Sequence, residues 1–473
     1  MNETQVAEQT QIREKNGKKT ENPLGVAPVN SLLVKFALPS IVAMLVGALY
    51  NIVDQIFIGN YVGELGNAAT NIAFPLSPLC TATSLFFGIG GAAAFNLSMG
   101  AGKKDVAPRF VGNAAATAIL IGIAISVGTE IFLEKLLLLF GSSEKILPYA
   151  LDYTRITAGG FPFLIISVTG GHLIRADGKP LVAMLCNLTG AIVNTVLDAA
   201  FVIGCGWGMK GAALATVIAQ VLSATIAVFH LFHFRTVRLS FSDFVPRVPC
   251  VTRIMNLGMS QGFNQIAMML VQIVSNNTLK HYGALSVYGV EIPIAVVGIG
   301  IKLSQLYFSV CIGLSHALQP LASFNYGARN YKRTREAFKK ARAVGSVFSV
   351  LAFLVFFIFP TQIISLFGKG SSPLYTQFAI KYMRIYLFCT FLNNIQPLTS
   401  TFFSAIGKPK IGLFLALTRQ ILFLLPLLLI LPCFWGIEGM LFTGCIADFL
   451  AFIVSVFLGR REFSRKEYKT SLA

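Results

Sequence analysis

The chain has 473 residues, of which 55% are hydrophobic and only 12% charged, with a mean hydropathy of +0.70 and a formal net charge of +18. Soluble globular proteins carry about 25% charged residues, so the composition excludes a soluble fold and implies an all-α integral membrane protein. The net charge alone would admit a nucleic-acid partner, but the placement of the basic residues excludes one.

Residues 1–30 are polar and basic, with Arg13, Lys15, Lys18 and Lys19 and no apolar core of a signal peptide, and read as a cytoplasmic arm. Apolar stretches then predict twelve transmembrane helices, at about 31–58, 68–99, 108–133, 147–173, 181–206, 210–234, 251–281, 284–318, 336–360, 374–405, 410–432 and 436–459. Pro39, Pro75, Pro78, Pro162, Pro293, Pro397 and Pro426 fall inside them as candidate kinks.

The loop lysines and arginines alternate by side. Lys103, Lys104, Arg109, Arg175, Lys179, Arg235, Arg238, Arg247, Arg253, the Arg329–Arg342 cluster, Lys408, Lys410 and the basic tail share the side of the N-terminal arm. Lys135, Lys145, Lys210, Lys280 and Lys369 face the other. The positive-inside rule places both termini in the cytoplasm of a cell-membrane protein, and it accounts for the charge without nucleic acid.

The chain repeats itself. Leu139-Phe140-Gly141 recurs at Leu366-Phe367-Gly368, Tyr153-Thr154-Arg155-Ile156 at Tyr382-Met383-Arg384-Ile385, Ala176-Asp177-Gly178-Lys179-Pro180 at Ala405-Ile406-Gly407-Lys408-Pro409, and Trp207-Gly208 at Trp435-Gly436, in one register of 227–229 residues. Each repeat holds an even number of spans. The expectation is therefore two six-helix bundles of the same orientation, related by a pseudo-two-fold axis along the membrane normal, with substrate bound between them. The implied division is an N-lobe at 31–234, a linker at 235–250, a C-lobe at 251–459 and a tail at 460–473.

Asp54 lies in the apolar run from Leu32 to Ile58. A carboxylate there costs roughly 2.5–3.5 kcal/mol at a helix centre and less near an end. It reads as half of a coupling-ion site, or as a carboxylate that reaches the headgroups. Asn194 and Asp198, four apart, share a helix face. At 1.5 Å per residue, Asp198 lies about 25 Å from the inner end of its span and Thr216 about 10 Å from the outer end of the next. Asp54, Asn194, Asp198 and Thr216 can therefore meet in the outer half of the first bundle. Two carboxylates with amide and hydroxyl oxygens form a hard-oxygen set suited to Na⁺ or to a shared proton. The competing reading is a hydrogen-bonded cluster that stabilises helix packing. At the repeat offset the positions of Asn194, Asp198 and Thr216 become Leu422 or Phe423, Pro426 or Leu427, and Gly444 or Cys445. A fold common to both halves does not require the cluster.

Glu291 and Lys302, eleven apart, share a face of the eighth span if the helix is regular past Pro293, and would line a central cavity that attracts cations. The alternative for Glu291 is an outer-end carboxylate in water. Tyr50 and Gln55 flank Asp54, and Met259 and Met268 supply polarizable surface; these four are assigned to the same substrate cavity. Arg155 and Arg384 read as snorkelling anchors, and His230 and His233 as interfacial. His172, His316, Arg419 and Asp448 receive no role. The eight cysteines have no metal or disulfide spacing and read as packing residues. No phosphate-binding loop is present in the sequence and no Ser/His/Asp constellation can be placed from it, so neither an enzyme nor a cofactor beyond the coupling ion is expected.

Four stretches carry a family resemblance: Asn51-Ile52-Val53-Asp54, Asn194-x-x-x-Asp198, Gly211-Ala212-Ala213-x-Ala215-Thr216, and Gln319-Pro320 running to Asn325-Tyr326-Gly327-Ala328. Over about residues 30–460 the chain resembles the MATE (multidrug and toxic compound extrusion) transporters, most of all their DinF-like, MepA-type bacterial branch. The resemblance implies two six-helix bundles in a V and export of cationic or amphipathic small molecules in exchange for H⁺ or Na⁺. It also implies an N-lobe cation site at Asp54, Asn194, Asp198 and Thr216, with Na⁺ ligation by Asp54, Asn194 and Asp198. Glu291 resembles an acidic C-lobe position of some relatives, on a looser match. A monomer in the lipid bilayer is expected. A lipid-linked-precursor flippase of the same superfold is the alternative, although a cavity containing Glu291 does not suit it.

Overall fold

The computed structural model describes residues 22–62, 64–366, 373–465 and 467–468. The N-terminal arm before Asn22, Phe367-Gly368 of the first repeat match, Lys369 and the end of the tail lie outside the described residues. The described residues form helices and no strands.

In chain order the principal ones are α1 (Val29–Tyr61), a short helix Glu64–Ala73, α2 (Leu76–Gly100), α3 (Ala107–Ile131), α4 (Leu147–Ala176), α5 (Pro180–Asp198), α6 (Gly208–Phe232), α7 (Val248–Ala284), α8 (Glu291–Gly327) and α9 (Tyr331–Ile358), with short helical turns at Pro23–Val26, Leu133–Leu139, Phe241–Phe244 and Pro360–Leu366. α10 comes in three pieces, Pro373–Tyr386, Phe388–Leu392 and Ile395–Ala405. α11 starts at Pro409, and the chain stays helical to Phe463 except at Gly436, whose φ of 56° ends α11 and begins α12 (437–463). Among the described residues, nine helices are both long and apolar enough to cross a membrane. α11 and α12 count there as one, α10 is broken, and α7 carries Gln261, Asn264, Gln265, Gln272, Asn276 and Asn277 along its length. The protein is an all-α, multi-pass membrane protein.

Several predicted spans move. The second divides at Phe74-Pro75 into the short helix and α2. The eighth, expected at 284–318, is instead Glu291–Gly327, because the chain first turns through Gly289 at a φ of 66°. Of the candidate kinks, Pro39 and Pro162 sit in helix interiors, and Pro426 lies within α11 just after its π-helical stretch Thr418–Leu424. Pro75 is an N-cap, and Pro78, Pro293 and Pro397 lie in first turns, where no backbone N–H is needed.

The repeat is conformational as well as sequential. Lys179 and Lys408, which precede α5 and α11, have φ/ψ of −115°/63° and −114°/59°. Gly178 and Gly407 before them share positive φ, 87° and 77°, and Gly208 and Gly436 have 53° and 56°.

Helices α2, α3, α4 and α6 bury one core around Phe87, Phe95, Phe110, Phe161 and Leu173. Helices α7, α8, α10, α11 and α12 bury another around Val271, Val296, Phe378, Tyr382, Leu424 and Met440. The two bundles touch where glycine permits backbone contact. A Cβ on Gly90 would stand 2.0 Å from the Ile254 carbonyl oxygen, and one on Gly100 2.0 Å from that of Phe324. Such small-residue seams are the usual means of close helix approach in lipid.

Helix α1 belongs to both bundles. Leu32, Leu33 and Phe36 pack on Leu314, Leu318, Phe338 and Phe402 of the second bundle. Ile58, near its other end, packs with Leu133, Val202 and Met209 of the first. Both ends of the described chain meet at one end of the molecule: Asn325 Nδ2 donates to the Leu24 carbonyl at 3.0 Å, and Tyr468 packs against Tyr331 just beyond α8.

Candidate functional site: a carboxyl pair in the first bundle

The half of α1 that lies in the first bundle brings Asp54 against α5 and α6. The 3.6-residue period puts Asn194 and Asp198 on one face of α5, and the helix then widens into a π-helical stretch at Ala199–Gly204. Such local unwinding is frequent at functional sites. Asp198 is 0% exposed and Asn194 2%. The Asp54 and Asp198 carboxyls are within hydrogen-bonding reach of each other. The Asn194 amide nitrogen donates to Asp198 Oδ2 at 3.0 Å, and its oxygen accepts from the Thr216 backbone N–H at 3.3 Å. Thr216 Oγ1 donates back along its own helix to the Ala212 carbonyl at 3.0 Å.

Oδ1 of Asp54 and Oδ1 of Asp198 are buried without a hydrogen-bond partner among the described residues. Among the described residues, no basic side chain pairs with either carboxyl. Two carboxylates in contact repel when both are ionised, and a buried acceptor left unpaired carries a desolvation cost. A single proton or small cation held between them relieves both. No group of three or more His, Cys, Asp or Glu side chains gathers for a metal among the described residues. The donor set here is therefore two carboxyls, an amide and a hydroxyl, which suits a hard monovalent ion.

The structure thus brings together Asp54, Asn194, Asp198 and Thr216. It adds Tyr50, which feels both carboxyls from one turn away on α1 and so belongs to this cluster. It also adds Tyr153 of α4, beside Thr216 and the two carboxyls. Sequence reasoning missed Tyr153, although the repeat had marked it as the counterpart of Tyr382. Gln220, one turn along α6 from Thr216, has its Oε1 buried without a hydrogen-bond partner among the described residues.

The remaining cavity residues are not part of this cluster. The Gln55 side chain lies outside the described residues. Glu291 is exposed as the first residue of α8, Lys302 is half-buried three turns further on, Met259 is half-buried, and Met268 is 41% exposed beside Asn264 on α7.

Residues without a role in the sequence form two further polar groups. On the seam between the bundles, the rings of His172 on α4 and His316 on α8 meet edge-to-face at 4.7 Å, and Arg175 Nη1 lies 3.0 Å from His172 Nδ1. Within the second bundle, Arg419 Nε donates to Asp448 Oδ1 at 2.5 Å, and Asn393 Nδ2 donates to Asp448 Oδ2 at 2.6 Å. Arg155 and Arg384 are exposed, the first 3.9 Å from Glu130 and the second over the Phe357 ring.

Two repeated helical bundles enclosing buried charge define a polytopic transporter rather than an enzyme. The MatE family model matches residues 39–200 and 262–430, and the chain belongs to that family: it is a MATE transporter. It is 24% identical over 429 residues to the multidrug export protein MepA of Staphylococcus haemolyticus, covering 90% of this chain and 92% of that protein. A solved structure described as MATE in the bent conformation superposes with a TM-score of 0.85 at 23% identity, covering 94% of this chain and 97% of the other. A second, described as the outward-facing conformation of a multidrug resistance MATE family transporter of the MOP superfamily, gives 0.85 at 22% identity over 93% and 98%.

Proposed function

We propose that this chain is a secondary active exporter of cationic or amphipathic compounds, driven by antiport with H⁺ or Na⁺ across the cell membrane, with both termini cytoplasmic. The ion is held at Asp54, Asn194, Asp198 and Thr216, with Tyr50 and Tyr153 closing the site. The observation that carries this reading is a pair of contacting carboxyls, Asp198 buried and Asp54 half-buried, with no basic partner among the described residues and with Asp54 on a helix shared by both bundles. The description of the staphylococcal relative as a multidrug export protein supports the substrate class.

The shared helix links ion to substrate. Asp54 sits on the half of α1 that packs with the first bundle, while Leu32, Leu33 and Phe36 anchor the other half in the second. Neutralising the pair removes repulsion between α1 and α5, draws the far half of α1 toward α5 and bends α1 near Pro39. The space between the bundles changes with it, and the substrate is released outward. Glu291, Lys302, Met259 and Met268 belong to the substrate path in this reading.

The test is ethidium efflux from cells expressing the chain, with membrane abundance measured in parallel. D54N abolishes efflux at unchanged abundance. Retained efflux would remove the pair from the mechanism. Inverted vesicles given first a proton and then a sodium gradient identify the ion.

A further inference from the structure

We infer that Arg419 is a tethered cation. It occupies, in the second bundle, an acid site that would otherwise take up an exchangeable ion, and so confines ion coupling to the first bundle. The inference rests on the antiport reading.

The two bundles carry comparable polar centres. The first has Asp198 held by an asparagine amide, with Tyr153 beside it. The second has Asp448 held by the Asn393 amide, with Tyr382, the repeat counterpart of Tyr153, beside it. They differ in what neutralises the acid. In the first it faces a second carboxyl. In the second it faces the Arg419 guanidinium, which also lies over the Phe308 ring at 5.5 Å. Asp448 is 4% exposed. The titratable groups around it are Arg419 from α11, Tyr382, Tyr386 and Cys389 from α10, Tyr307 from α8 and Cys445 on its own helix, with no second carboxyl among the described residues.

Both charges are peculiar to this half. At the repeat offset of 228, Asp448 corresponds to Gln220 and Arg419 to Ala191. The bundle fold common to both halves therefore needs neither. Arg419 also lies in a π-helical stretch, Thr418–Leu424, rather than in regular helix, the kind of local unwinding that accompanies functional positions. With the guanidinium in place Asp448 is neutralised from within the chain, and no external ion is needed. Without it, a carboxyl held by an amide and surrounded by tyrosines stays buried, and burial without a counter-charge forces it to take a proton or small cation.

The experiment measures the coupling ratio in proteoliposomes, as the ion gradient that just balances a known ethidium gradient. R419Q is expected to move one more ion per ethidium than the unaltered chain. R419Q/D448N returns to the unaltered ratio, and R419K, which keeps the charge, retains it. R419M fills the same volume without hydrogen bonds and makes the same test should R419Q not be recovered folded. An unaltered ratio in folded R419Q or R419M overturns the inference. So does failure of both to fold while R419K folds, since the pair is then structural only. An unaltered chain that moves no ethidium under either a proton or a sodium gradient defeats the antiport reading, and this inference with it. A chain that moves ethidium with a ratio indifferent to Arg419 defeats the tethered cation alone.

Discussion

The two bundles answer the same problem, an aspartate buried inside a membrane protein, in opposite ways. In the first, Asp198 meets Asp54, and Oδ1 of each is left without a hydrogen-bond partner among the described residues. In the second, Asp448 meets Arg419 and Asn393, and the centre is complete from the chain alone. On the proposed antiport reading, the difference separates a centre built to change state from one built to hold it. A centre that must exchange its counter-charge is left with unsatisfied oxygens, as Oδ1 of Asp54 and of Asp198 are. A permanent centre has its carboxylate capped on both oxygens. The internal repeat makes this a comparison at nearly constant fold.

The contrast is sharpest in stability. D448N leaves the Arg419 guanidinium buried with no counter-charge, and breaking a buried pair from one side costs about 3–5 kcal/mol. The thermal midpoint in detergent falls accordingly, or the protein is lost. D198N removes a repulsion instead, so its midpoint stays level or rises while ethidium efflux disappears. Equal destabilisation by the two substitutions would erase the distinction between the centres.

The same contrast explains what the sequence reveals and what it hides. The Asn194–Asp198 pair follows from helix period, and its meeting with Asp54 and Thr216 from depth, because regular helices crossing a slab of known thickness convert residue counts into heights. The repeat made Tyr153 and Tyr382 legible as counterparts, but not what each touches, since azimuth within a bundle depends on packing. Arg419 and Asp448 stayed hidden for a physical reason. Between them lie the rest of a π-helical stretch and the backbone reversal at Gly436, and each shifts the helical phase by an amount that composition does not encode. His172 and His316 lie on helices distant in sequence and meet only because the bundles close on a seam. The boundaries of α8 and the interruptions of α10 were missed because glycine turns and short 3₁₀ segments, being apolar here, look like continuous span.

A smaller effect separates a completed centre from an essential one. Replacing both partners of a buried pair with apolar residues of similar volume is neutral or stabilising by about 1–4 kcal/mol in known cases. R419M/D448L should therefore fold at least as well as the unaltered chain in thermal unfolding, and should transport with an unaltered ion ratio. No such rescue is open to the first bundle: D54L/D198L should also fold, with ion-driven efflux absent. Efflux surviving in D54L/D198L would move the exchangeable ion elsewhere in the molecule.

The finest test uses the paired tyrosines. Tyr153 lies beside Thr216 and the carboxyl pair, whereas Tyr382 is stacked on Tyr386 with ring centroids 4.8 Å apart. A neutral hydrogen bond contributes about 0.5–1.5 kcal/mol net, and Y153F removes a polar hydroxyl from beside the carboxyl pair without removing any charge. Y153F should weaken the apparent ion affinity by about fivefold, the equivalent of roughly 1 kcal/mol, read as the ion concentration giving half-maximal ethidium efflux, with the maximal rate preserved. Y382F removes the corresponding hydroxyl from a centre whose cation never leaves, so the same dose–response curve should not move. If both substitutions shift the curve alike, the second bundle is also exchanging an ion, and the two centres are one kind rather than two.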